Sequence, residues 1–222
     1  MRRKQAAARI AETRRAQSVS PSALEDRAVF LNIPYDNAFR PLYLAYITGL
    51  SQFGLEPRAT LEIPGGERRL DRILDLIQSC KFSIHDLSRV QLDRNPPFST
   101  PRFNMPFELG LAVAVSKNEP RTRQWFLFET KKRRVQKSLS DMDGTDPYIH
   151  EGTVEGAMRE LCNAFVRQTA RPDVPQMMKA YRKLSRQVET LRMNAGADSI
   201  FTARVFKDLC LAASVLADQT RR

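Results

Sequence analysis

Histidine and cysteine are scarce in this chain of 222 residues, which carries two of the first and three of the second. Cys80, Cys162 and Cys210 stand far apart with no CxxC spacing, so they assemble neither a tetrahedral zinc site nor a disulfide framework. Isolated, odd-numbered thiols fit a reducing compartment. No apolar run reaches the roughly 18 residues of a membrane span, and the basic start is not followed by the apolar core of a signal peptide. The expectation is therefore a cytoplasmic protein with no membrane contact. Acidic residues are also in deficit, 25 against 36 Lys and Arg, for a net charge of +11. That balance favours polyanionic partners without establishing nucleic-acid recognition.

The length suits one domain of about 150 residues with appendages. Residues 1–27 read as a basic flexible arm, with Arg2, Arg3, Lys4, Arg9, Arg14 and Arg15 set among alanines ahead of a Ser-Pro-Ser linker. Either it attaches weakly to an anionic partner or it is a solvated tail. From Ala28 the pattern becomes regular. Residues 28–33 form an apolar run suited to a buried strand, and residues 39–53 follow with Leu42, Tyr43, Tyr46, Ile47 and Leu50 as an apolar helical stripe. A second strand is expected over 55–63, a helix over 69–79, a third strand over 81–85 and a fourth over 124–129. Strands alternating with helices of this length predict a doubly wound, flavodoxin-like parallel sheet of four to five strands over residues 28–152.

The remainder changes character. Lys131, Lys132, Arg133, Arg134 and Lys137 form a basic patch, and residues 138–152 make a polar loop on which His150 is expected to be exposed. Asp141, Asp143, Asp146 and His150 miss the spacing of a calcium loop, so no metal is expected there. Residues 153–222 read as a helical C-terminal extension, with helices near 153–169, 175–193 and 198–217. Their apolar faces can pack on the sheet, on each other or on a second subunit.

The most informative stretch runs from Arg102 to Ala114, where Glu108 falls in an otherwise apolar helix. Pro106 suits the first helical position, which would make Met105 the N-cap and place Glu108 at N3, a capping position. Gly110 suggests close approach by backbone or ligand. In an open parallel sheet, ligands bind beyond the carboxyl ends of the strands near the topological switch point. Tyr35 and Asp36 after the first strand, Asp86 and Ser88 after the third, and Asn104 to Glu108 should converge there. Gly65, Gly66 and Arg69 border the same edge.

Ile33-Pro34-Tyr35-Asp36, Ser83-Ile84-His85-Asp86-Leu87-Ser88 and Phe107-Glu108-Leu109-Gly110-Leu111-Ala112 together resemble the superfamily that joins nucleoside 2-deoxyribosyltransferases and TIR domains. The resemblance covers roughly residues 28–130 and places the family's catalytic glutamate on Glu108. Ahead of it, Arg102-Phe103-Asn104-Met105-Pro106 replaces the Asp and Gly-Thr usual in the deoxyribosyltransferases. The implied activity is hydrolysis or exchange of an N-glycosidic bond in NAD or a related nucleotide, in a setting of bacterial antiviral defence. NAD would be substrate rather than cofactor. Glu108 would stabilise or attack the oxocarbenium-like anomeric carbon. Asp86 would hold sugar hydroxyls, Tyr35 or Phe39 would stack on a base, and Asp36, Ser88, Asn104 and Arg69 would line the substrate site. The alternative is a non-enzymatic TIR-like nucleotide sensor that self-assembles as a homo-oligomer through the C-terminal helices. Nucleic-acid binding through the arm and the patch at Lys131 to Lys137 is the third reading.

Overall fold

A computed structural model of the chain describes residues 25–63, 68–90, 92–93, 100–118 and 123–221. Most of the basic arm, the Pro64-Gly65-Gly66 turn and much of the Pro-rich loop fall outside these residues. Five parallel strands form the sheet: β1 (Glu25–Asn32), β2 (Glu56–Ala59), β3 (Cys80–Asp86), β4 (Gln124–Glu129) and β5 (Tyr148–Ile149). Their order is β2-β1-β3-β4-β5, the flavodoxin-like arrangement. A separate antiparallel ribbon pairs Leu92–Asp93 with Thr100–Pro101.

Alternation along β1 sorts its side chains between two layers. Val29, Leu31 and Ile33 face the helix α1 (Arg40–Gln52), whereas Ala28 and Phe30 face α2 (Arg69–Ser79) and α3 (Asn104–Asn118). Every residue from Leu42 to Gln52 of α1 is buried, because the helix has the sheet on one side and more helices on the other. Those are α5 (Val154–Ala164), α6 (Val174–Asn194) and α7 (Ala203–Arg221), which follow the short α4 (Arg134–Ser138). Each fully buried apolar side chain of this core stabilises the fold by about 1.5–3 kcal/mol.

Several expectations change here. Residues 25–27 belong to β1 rather than to the arm. The second strand stops at Ala59, where Thr60–Glu62 turns into a 3-10 helix and the Glu62 carboxylate accepts the Ala59 N–H at 2.9 Å. Residues from 153 onward share one core with α1: Phe165 packs on Phe53, Phe82 and Phe126, and Gly49 lets Leu161 and Met177 close in. They form a third layer of the same unit.

Candidate functional site

The strand order reverses between β1 and β3, and a buried polar chain marks that point. Asn32, the last residue of β1, is 4% exposed and donates from Nδ2 to the Met105 carbonyl at 2.7 Å. Its other Nδ2 hydrogen meets His85 Nδ1 at 3.0 Å, so the network assigns the remaining ring hydrogen to Nε2, 3.0 Å from Ser83 Oγ. Burial pushes the His85 pKa down to about 3, leaving a neutral spacer between strands. Asn32 thus ties the start of α3 to the end of β1. Its signal in the sequence was a lone amide closing an apolar strand.

That tie forms a cleft of about 90 Å³ lined by Asn32, Tyr35, Arg69, Arg102, Asn104 and Glu108. Glu108 is 5% exposed and has no hydrogen-bond partner among the described residues. Burial raises its pKa from 4.5 to about 7, opposed by the positive charge of Arg69. The helix begins at Asn104, so Glu108 is its fifth residue and not an N3 cap. Pro106 sits third, within the first turn, where its missing N–H is tolerated. Gly110 is exposed and a Cβ there would meet nothing within 4 Å, so no close approach explains it.

Tyr35, Arg69 and Asn104 therefore do meet Glu108 at one cleft. The Tyr35 ring packs against Tyr43 and Phe201, and its hydroxyl donates to the Leu31 carbonyl at 3.3 Å, which leaves little of it for stacking on a base. Phe39 is buried against Tyr46 and is not available either.

Asp36, Asp86 and Ser88 do not line the cleft, which corrects the expected set. Asp36 Oδ2 is held by Arg102 at 2.8 Å and Arg89 at 3.0 Å, while Oδ1 accepts the Phe39 N–H. Burial raises its pKa, but these three donors outweigh that and hold the carboxyl below its ordinary value. Asp86 is fully buried, accepting from Tyr46 Oη at 2.7 Å and Ser88 N–H at 2.9 Å, with His150 Nε2 at 3.1 Å. Burial raises its pKa as well, and His150, Ser88 and Tyr46 together override it to keep Asp86 ionised. It is a structural anchor rather than a sugar contact. Ser88 is 5% exposed, with its carbonyl taken by Arg134 at 2.6 Å.

His150 is likewise buried rather than exposed, its Nδ1 accepting the Gly152 N–H at 3.0 Å. Arg134 turns inward onto the buried Glu129, which removes it from the basic patch. Among the described residues, no group of three or more His, Cys, Asp or Glu is placed to hold a metal ion, and no helix is long and apolar enough to cross a membrane.

Fold and cleft together define a flavodoxin-like α/β protein with a buried acid at its switch point that is unbonded among the described residues. Comparison of the chain with protein-family models, curated proteins and solved structures finds no match.

Proposed function

We propose that this chain cleaves or exchanges the N-glycosidic bond of NAD or a related nucleotide, with Glu108 as the catalytic carboxylate. The observation that carries the reading is the state of Glu108: buried, facing the cleft and unbonded among the described residues. A carboxylate without donors keeps its full field for charge that develops later. As a base leaves an anomeric carbon, the sugar gains oxocarbenium character, in NAD by taking over the positive charge of the nicotinamide ring, and a desolvated carboxylate beside that carbon stabilises this state more than the ground state. The covalent alternative is attack by the same carboxylate on that carbon as the base departs, after which water or an acceptor base displaces the carboxylate. Only the ionised form does either, so activity rises with pH through about 7.

The cleft's size supports a single ring as its occupant. About 90 Å³ is well below the roughly 300–1,000 Å³ of a typical ligand pocket. A sugar fits inside while base and phosphates lie at the mouth. The test is product analysis after incubation with NAD and with nucleotides, following free base release in wild type and in Glu108→Gln. Release that is lost in the variant supports the reading, and equal release from both contradicts it.

A second reading, self-assembly as a signalling module, is favoured by a different surface. Leu211 and Val215, one turn apart on α7, are 67% and 48% exposed in a groove of about 690 Å³ that Lys183, Arg186 and Asp208 also line. Opposite charges on one patch suit a second copy turned about a twofold axis. Light scattering of wild type and Leu211→Asp tests it: a dimer abolished by the substitution supports the reading, and a wild-type monomer at high concentration ends it.

A further inference from the structure

Two guanidiniums share one carboxylate, and one of them, Arg102, lines the Glu108 cleft. Arg102 Nη1 and Arg89 Nε bond the same Asp36 oxygen, so a single negative charge faces two positive ones. Arg69 adds a third cation, exposed and without a hydrogen bond or ion pair among the described residues. Arg69 and Arg102 both line the cleft; Asp36 does not. The local balance is thus positive, even with Glu108 partly ionised at neutral pH.

The backbone adds to this. Arg69 opens α2, whose N-cap residue Arg68 makes no side-chain capping bond. The N-cap side chain thus offers the first turn of α2 no acceptor, and that turn carries the positive end of the helix dipole. A helix start beside arginines is an anion site only if something places a ligand there, and Glu108 does so. It is 5% exposed, unbonded among the described residues and lines the same cleft. A carboxylate repels an anion, so a ligand must present an uncharged ring to Glu108 and its negative group to the arginines.

We propose that Arg69 and Arg102 form a phosphate subsite, so that the substrate class is a phosphorylated nucleotide and not a free nucleoside. The inference rests on the reading of the cleft as a glycosidic-bond site for the position of the sugar. Guanidinium is suited to the task because its planar fork offers paired N–H donors to phosphate oxygens. Arg102 approaches Asp36 through Nη1 at 2.8 Å and has no other hydrogen bond among the described residues, leaving donors for a second anion.

Calorimetric titration with ribose 5-phosphate and with ribose, at low salt where screening is weak, tests the subsite. Ribose 5-phosphate is expected to bind at least tenfold more tightly than ribose. Arg69→Gln and Arg102→Gln should each weaken ribose 5-phosphate by about tenfold or more, the scale of a charge-assisted hydrogen bond. Ribose affinity should stay where it was. Arg69→Gln is the cleaner variant, since that side chain has no partner among the described residues whose loss would disturb the fold. Equal affinity for the two sugars, or ribose 5-phosphate binding untouched by both substitutions, overturns the proposal. Phosphate-dependent binding that survives in Glu108→Gln, in a protein that cleaves no nucleotide, upholds the subsite while the proposed reaction fails. Cleavage of nucleosides as fast as of their 5′-phosphates upholds the reaction while the subsite fails.

Discussion

Replacing Asp86 with alanine should destabilise the whole protein, because its carboxylate is the shared acceptor of a buried cluster. The side chain is fully buried and takes the Tyr46 hydroxyl and the Ser88 N–H, with His150 Nε2 3.1 Å away. Stranding one buried donor costs about 1–3 kcal/mol, so the Tyr46 hydroxyl and the Ser88 N–H together reach roughly 2–6 kcal/mol. Relaxation and water penetration bring this toward the roughly 3–5 kcal/mol of a broken buried pair. Against a total stability of about 5–15 kcal/mol that is a large fraction. At roughly 2–4 °C per kcal/mol for a chain of this size, Tm should fall by about 6–20 °C. Urea and thermal unfolding followed by circular dichroism measure it. Asp36→Ala is the control: its carboxylate is partly exposed, and the loss should stay near or below about 1 kcal/mol. The pH dependence has a definite sign. The folded-state pKa of Asp86 is lowered, so its contribution is complete above the unfolded value of about 3.9 and is lost as pH falls through the folded value. Wild type should therefore lose more stability than Asp86→Ala in acid below about pH 4. An Asp86→Ala protein within about 1 kcal/mol of wild type, impaired only in ligand binding, would refute the structural assignment.

The other expected outcomes concern the cleft and its support. Glu108 has a raised folded-state pKa, so wild type loses stability as pH climbs from about 4.5 through 7. Glu108→Gln should thus be more stable than wild type by up to roughly 3 kcal/mol above pH 7 and show little gain near pH 5, as denaturation at the two pH values would reveal. Arg69 lowers the pKa of Glu108, so Arg69→Gln should move the alkaline rise of activity to higher pH, read from a pH-rate profile. Gly156→Ala should destabilise by about 1–3 kcal/mol in urea unfolding despite alanine's better helix propensity. A Cβ there would stand 2.1 Å from the His150 carbonyl oxygen, and the shift would reach Asp86 through His150.

Local periodicity carried much of the fold into the sequence. The helix expected over 69–79 has the bounds found for α2, and the run after Ala28 specified the buried half of β1. β3 gained one residue at each end, Cys80 and Asp86, because strand pairing with β1 and β4 continues past the apolar run. Glu108 was legible as an acid at a helix opening. Its capping role was misread because nothing in the sequence distinguishes a start at Asn104 from one at Pro106.

What stayed hidden depends on partners far apart in the chain. Asp86 meets Tyr46 and His150 across 40 and 64 residues, and no local pattern records either meeting. His150 sits among polar loop residues and is buried only because β5 adds the last strand of the sheet beside it. The apolar faces of α5, α6 and α7 announced packing but not its object. Their object is α1, and its burial on every side removes the one-sided stripe that would have named a surface helix.

Glu108 is proposed to act as an ionised carboxylate on a glycosidic bond. The pH dependence of kcat/KM for NAD, measured by nicotinamide release from wild type and Glu108→Gln, tests it most directly. The wild-type profile should rise to a plateau with an apparent pKa near 7. The variant should lose roughly 10²–10³ in rate and the pH dependence with it, the scale of removing one preorganised electrostatic group. Equal, pH-parallel profiles for the two proteins would rule out Glu108 as the catalytic carboxylate.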